Sequence, residues 1–415
     1  MQRTAPEGRG PVRYGPPAPE PGLPALPELR AVLAAAAGTS EAEPPGGGPA
    51  VREAACRYWE RRGLPTAPDE VAAGPGAPAL LLALLGAAGG DVLLPRPCPA
   101  WWTPQVRLLG HRAHHVPTPA ECGGVPDPWA LLETVRRARA EGGDPRLLLL
   151  STADDPTGTV APPELLHEAC EAAQSEGLLV VCDETWRDTL HRPSETLLVS
   201  PAEMVPGQVA VLVDLAGSLL PAGWPAAVAR FPGGPHGTRL RARTLDVLTA
   251  TAAVIAGPVA AVAAHALEEP EAVAVRARAE AALYGVVAAE AHRRLLAAGA
   301  LSRPPQAGRH LYADLTPLRA GLARRGVTDA MELEDWLGTR LGGSAPGGQR
   351  FADELGAPRF RLATAPLLGA TEEERLAALT ARDPLALPYV RQALETLTEV
   401  LAELADPSHL VDAQL

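Results

Sequence analysis

From about residue 46 to residue 285, short apolar runs alternate with amphipathic stretches. The runs at 92–95, 147–152, 178–184 and 209–215 are apolar at successive positions, which is the pattern of strands buried on both faces. Between them, segments such as 162–177 space their apolar residues three and four apart, as a helix with one buried stripe does. Strand and helix in alternation predict an α/β unit with a mostly parallel sheet covered by helices on both sides. Beyond it the pattern changes. Long helical stretches at 276–299 and 388–405 flank short strands at 310–315 and 359–365. They predict a smaller α+β domain. The expected organisation is therefore an arm at 1–45 that belongs partly to the small domain, a large α/β domain at 46–285, and the small domain at 286–415. The arm is rich in Pro, Gly and Ala and holds one helix, expected over 26–37.

One stretch, Leu248 to Leu267, has no charged residue, but it is mostly alanine with Gly257-Pro258 at its middle. Alanine supplies little transfer energy to a bilayer and proline bends a helix, so a buried, interrupted helix is expected there and no membrane span. No signal-peptide core precedes it. Apolar residues make up 47% of the chain and charged ones 21%, an ordinary soluble composition. The net charge of -12 excludes nucleic acid and anionic membranes as natural partners. Cys56, Cys98, Cys122, Cys170 and Cys182 are odd in number and form no CxxC pair, which fits structural thiols in a reducing cytoplasm. All 37 basic residues are arginines; the sequence contains no lysine.

In open α/β sheets, ligands bind beyond the carboxyl ends of the strands. Three of the expected strands carry an acid there, Asp155, Asp183 and Asp214. Each can be a helix-capping residue or a member of an acid cluster in a pocket. If they converge, mutual repulsion raises their pKa values and equips one of them for general acid or base work. The motif "HRAHH" (111–115) would aim two histidines together only on a helix, and the segment reads as an extended edge strand, so no metal site is expected. Trp101, Trp102, Trp186 and Trp224 fall on segments expected to face the pocket, as packing or as walls for a flat ligand.

The order of several motifs resembles the class I/II aminotransferases, pyridoxal-phosphate (PLP) enzymes of fold type I. "GGGPAVREAACRYWERRGL", "GPGAPALLLAL", "GGDVLLPRPCPAWW", "DDPTG", "VCDETW", "LAGSLLPAGWPAAVARFP" and "APGGQRF" followed by "FRLATA" stand where that family has its successive signatures. The resemblance runs from about Gly46 to the last helix, and it implies a large α/β domain with a mostly parallel, seven-stranded type of sheet between helices plus a smaller α+β domain. It implies that the family's imine-forming lysine falls at Gly217, with Ser218 beside it, and its phosphate-gripping arginine at Pro225. The ring-stacking aromatic falls at Pro99, the ring-hydroxyl asparagine at Asp155, and the tyrosine partner at Trp186. Asp183 matches the family's pyridine-nitrogen partner, and Arg361 its grip on the substrate carboxylate. The start of the phosphate-loop helix, Gly76-Ala77, keeps free N–H groups that suit an anion.

Conventional transamination needs the lysine amine for its imine. The sequence therefore leads to an expectation of no cofactor, with weak non-covalent PLP or pyridoxamine phosphate (PMP) left open. The function expected is a repurposed, PLP-independent enzyme of specialised metabolism. Asp155, Asp183 and Asp214 would transfer protons in it. Arg361, Trp102, Trp186, Trp224 and Ser218 would bind a small, possibly carboxylate-bearing substrate. Gly76, Ala77, Pro99, Gly217 and Pro225 would be remnants of the cofactor site. The alternatives are a non-catalytic partner of a lysine-bearing homologue and a non-covalent user of PLP or PMP. A homodimer is the assembly implied by the resemblance.

Overall fold

A computed structural model describes residues 13–404, apart from 18, 40, 41, 120–122, 343 and 344. Cys122, the first twelve residues of the expected arm and the chain after 404 lie outside the described residues. Among the described residues, ten strands form two sheets. The large one contains β1 (Val71–Gly74), β2 (Asp91–Arg96), β3 (Ala113–Pro117), β4 (Pro145–Ser151), β5 (Leu179–Asp183), β6 (Val209–Asp214) and β7 (Ala227–Arg230), in the order β1-β7-β6-β5-β4-β2-β3. Strands β2 to β6 pair in parallel, while β7 runs antiparallel to both β6 and β1.

Side-chain alternation along the strands explains the two covering layers. Leu148, Leu150, Val180, Cys182, Val211 and Val213 pack into one core, with the Pro49–Glu60 and Pro163–Ser175 helices on that side. Leu147, Leu149, Val181, Ala210 and Leu212 pack into another on the opposite face, against the Ala77–Ala88 and Gly234–Ala250 helices. Both faces being apolar, the runs carry no polar alternation, and this is why the strands stood out in the sequence.

The small sheet is antiparallel, in the order β10-β9-β8, with β8 at Leu301–Ser302, β9 at His310–Asp314 and β10 at Arg359–Ala363. It shares a third core with the Glu271–Ala297 and Pro388–Ala402 helices, and Leu23 of the arm joins that core. The expected boundary at 285 falls inside the continuous Glu271–Ala297 helix. The alanine-rich stretch is split between the Gly234–Ala250 and Gly257–Leu267 helices, with Ala252 in the left-handed region at φ 51° between them. No described helix is long and apolar enough to cross a membrane. His114 and His115 lie on β3, an edge strand, where His114 pairs with Asp91 at 3.2 Å and His115 with the Thr103 hydroxyl at 3.0 Å. Among the described residues, no cluster of His, Cys, Asp or Glu is arranged to hold a metal.

Candidate active site

Strands β4, β5 and β6 end side by side, and a cavity of about 220 Å³ opens beyond them. Asp155 follows β4, Asp183 closes β5 and Asp214 closes β6, and all three line this cavity. The register fixes their level, since Asp183 pairs with Ser151 of β4 on one side and Leu212 of β6 on the other. Trp101, Trp186, Pro99 and Thr185 complete much of the wall, and Gly217, in the turn after β6, lines it next to Thr185.

Asp183 accepts the Thr185 N–H at 2.9 Å. Burial pushes its carboxyl up to about 7; the Thr185 bonds oppose this, and the nearby Asp214 and Asp155 charges reinforce it. Asp214 is raised by burial too, against the pull of two backbone N–H groups. Those two are decisive for what the cleft can hold. Ala77, the first residue of the Ala77–Ala88 helix, donates its N–H to Asp214 Oδ2 at 2.7 Å, and Ala216 donates to Oδ1 at 2.9 Å. The next helical residue, Pro78, has no N–H, and the Gly76 N–H is used by the Gly74 carbonyl at 2.9 Å. The helix start expected to offer free N–H groups to an anion is thus filled by the chain's own carboxylate.

Arg361 is buried on β10 beside the cleft. Its guanidinium donates to Asp155 at 2.8 Å and to Glu20 of the arm at 2.6 Å, and it sits 4.9 Å from the Phe351 ring centroid. Glu20 also accepts from His310 at 3.1 Å. Burial alone would raise the Glu20 carboxyl; His310, Arg361 and Arg309 overcome that and hold it at about 2. His310 meets Trp186 edge-on at 5.5 Å, and Trp186 packs over Gly308, whose φ of +71° leaves the ring 3.6 Å from where a Cβ would stand.

The residues singled out from sequence separate in space. Asp155, Asp183, Asp214, Trp186, Ala77, Pro99 and Gly217 come together around one cavity. Trp102 does not join them; it is 1% exposed and packs under the sheet, while its neighbour Trp101 reaches the cavity. Trp224 packs on the opposite core, and Ser218 lines a neighbouring recess with Arg276, Glu280 and Arg309. Gly76 and Pro225 do not line the cavity; a Cβ on Gly76 would stand 3.6 Å from Asp214 Oδ2 and 3.9 Å from Pro225. Glu20, His310 and Thr185 were not singled out. Glu20 sits in a proline-rich arm with no periodicity to place it, and only its charge marked it.

Gly217 has a further property. A Cβ built on it would lie 2.6 Å from Thr185 Cγ2 and 2.8 Å from the Thr185 carbonyl oxygen. The second of these is backbone, so any side chain at 217 requires the turn after β5 to move.

A mostly parallel seven-stranded sheet, an antiparallel companion, and a cleft beyond β4 to β6 with an aspartate at the floor together define a fold type I aminotransferase architecture. Comparison with known proteins makes this specific. The aminotransferase class I and II family profile matches residues 22–320, and the chain belongs to that family. A probable aspartate/prephenate aminotransferase of Thermus aquaticus is 30% identical over 203 residues, which are 48% of this chain and 51% of that protein. The Thermus thermophilus aspartate/prephenate aminotransferase is 29% identical over 203 residues, 48% of this chain and 50% of that protein. The chain thus spans about half the length of the curated relatives it matches. In fold, an aromatic aminotransferase from Pyrococcus horikoshii superposes with a TM-score of 0.75 at 19% identity, over 93% of this chain and 95% of that one. A Thermus thermophilus aspartate aminotransferase variant gives 0.74 at 23%, over 94% and 99%.

This membership corrects the expectation of a chain without a cofactor. The relatives and structural neighbours are aminotransferases of a PLP-dependent family, and nothing in the matches sets this chain apart as cofactor-free. The cleft itself fits such a group at one end only. Its ring end suits a pyridine: Asp183 lies at the strand end, with Trp101 and Trp186 in the walls. Its phosphate end does not fit, because Asp214 already occupies the helix start and no Arg, Lys or His lines the cavity among the described residues.

Proposed function

We propose that this aminotransferase-family chain binds a pyridoxal-class ligand, a flat protonatable nitrogen heterocycle, by non-covalent contacts, with Asp183 as the partner of the ring nitrogen. The observation that carries this reading is Asp183 itself: a buried carboxyl poised near neutrality, at the floor of a cavity of about 220 Å³ with indole rings in its walls. A carboxyl near 7 can give or take a proton at the ring nitrogen in the neutral range, which suits it to acid–base work on a bound ring. When bound, a pyridoxal-class ring supplies an electron-withdrawing system. The chain's own part is to seat that ring between Trp101 and Trp186, to exclude water with Pro99 and Ala153, and to set the proton on its nitrogen. An imine to the chain is not part of the reading, since Gly217 offers neither an amine nor room for one. A homodimer is proposed for the assembly on the strength of family membership.

Native mass spectrometry with added pyridoxal, pyridoxamine and their 5′-phosphates tests this. The expected result is a stoichiometric adduct that disappears on denaturation and that borohydride does not fix covalently. A borohydride-fixed adduct, or no adduct with any of the four, would overturn the proposal. The same spectra report the assembly mass.

A further inference from the structure

Two positions at the cleft that could receive an anion are taken by the chain's own carboxylates. At one, Asp214 accepts the N–H groups of Ala77 and Ala216 at 2.7 and 2.9 Å, and Pro78 removes the next donor of the helix start. At the other, Arg361 is held between Asp155 at 2.8 Å and Glu20 at 2.6 Å, with His310 beside both carboxylates, 3.1 Å from Glu20 and 3.6 Å from Asp155. The cavity between these points is lined by three carboxylates and, among its lining residues, no cation. A ligand phosphate placed at the helix start would face Asp214 within contact distance in a water-poor site, where like charges repel strongly. A ligand carboxylate would have to displace Glu20 or Asp155 from a buried guanidinium and leave that carboxylate with His310 as its remaining partner.

We infer that the ligand of this cleft carries neither phosphate nor carboxylate and is a neutral or cationic aromatic amine, its positive charge matched by the acids around it and its ring by Trp101 and Trp186. The inference rests on the reading of the cleft as a pyridoxal-class site and narrows it to the unphosphorylated end of that class. It also sets the chain apart from a site built for dicarboxylates.

The test compares pyridoxamine with pyridoxamine 5′-phosphate by calorimetry at matched ionic strength, in the wild type and in Asp214→Ser, with Asp214→Asn as a control of similar shape. The expected wild-type result is at least roughly tenfold tighter binding of pyridoxamine, with the preference lost or inverted in Asp214→Ser. Equal or tighter binding of the phosphate ester by the wild type overturns the inference while leaving the ligand reading intact. A second arm uses inorganic phosphate alone as the probe and thermal unfolding as the readout. Phosphate should raise the melting temperature of Asp214→Ser and leave the wild type as it is in chloride of equal ionic strength. Protection of both proteins to the same extent overturns the inference. If neither vitamer binds but phosphate protects only the variant, the proposed ligand class fails and the exclusion of anions stands.

Discussion

Arg361 and Glu20 stand 341 positions apart in the chain and meet at 2.6 Å, so a residue of the N-terminal arm and one of the last strand come together beside the cleft, where Arg361 also holds Asp155. The contact ties the arm to β10 electrostatically, just as Leu23 ties it to the small core by burial. Its strength depends on Glu20 being ionised. The carboxyl is held at about 2 against an ordinary 4.5, so its contribution is complete above about pH 4.5 and is lost as the pH falls through 2. Urea unfolding of the wild type and Glu20→Gln at a series of pH values should show the variant less stable by roughly 1–3 kcal/mol at pH 6. The gap should shrink steadily below pH 4.5. A gap that is constant with pH would mean that the contact is not maintained in solution.

Asp183 works in the opposite sense. Its carboxyl is raised from 3.8 to about 7, so the folded protein prefers it protonated; that preference favours folding below 3.8 and is lost as the pH rises through 7. Asp183→Asn removes the burden of a buried charge. It should therefore stabilise the protein above pH 7, with the advantage fading by about 1.4 kcal/mol per pH unit through the window between 7 and 3.8. Denaturant titrations at pH 5 and pH 8 distinguish this from a pH-independent packing effect.

Gly217→Ala should cost roughly 1–3 kcal/mol, since its Cβ meets Thr185 on both the side chain and the carbonyl. Thermal melting measures it directly. Gly217→Lys places an amine on the same backbone, and we expect no internal imine on adding pyridoxal 5′-phosphate, read as the absence of the imine absorption band. A stable band would show that the turn after β5 yields more easily than its packing indicates.

Trp101 and Trp186 line the cavity and Trp102 is buried below it, which makes tryptophan emission a reporter of occupancy. A bound aromatic amine should quench emission in the wild type, and Trp186→Phe should lose much of that quenching. The same titration on Trp102→Phe should keep the quenching, although this variant should melt lower because it empties a packed position in the core.

The fold was legible because β2, β4, β5 and β6 are apolar on both faces and are separated by amphipathic stretches. The three acids at the ends of β4, β5 and β6 were legible for the same reason, since strand ends are easy to find and ligands gather there. What each acid touches was not. Asp214 and Ala77 are 137 positions apart, and no local pattern says that a carboxylate will turn back to cap a distant helix. Adjacent Trp101 and Trp102 look alike in sequence, and only the helical geometry from Trp102 to Leu108 decides which of them faces the cavity and which the core. Around Glu20 the arm is rich in proline and has no periodicity, so it gave no sign that Glu20 belonged at the site.

The closeness of residue 217 to the Thr185 carbonyl also bears on how this chain is able to change over generations. A residue larger than glycine at 217 meets the Thr185 carbonyl, so a substitution there calls for a shift in the turn after β5 as well. Positions 217 and 185 are therefore mechanically coupled, and a change at either is expected to be accepted together with an adjustment of the other.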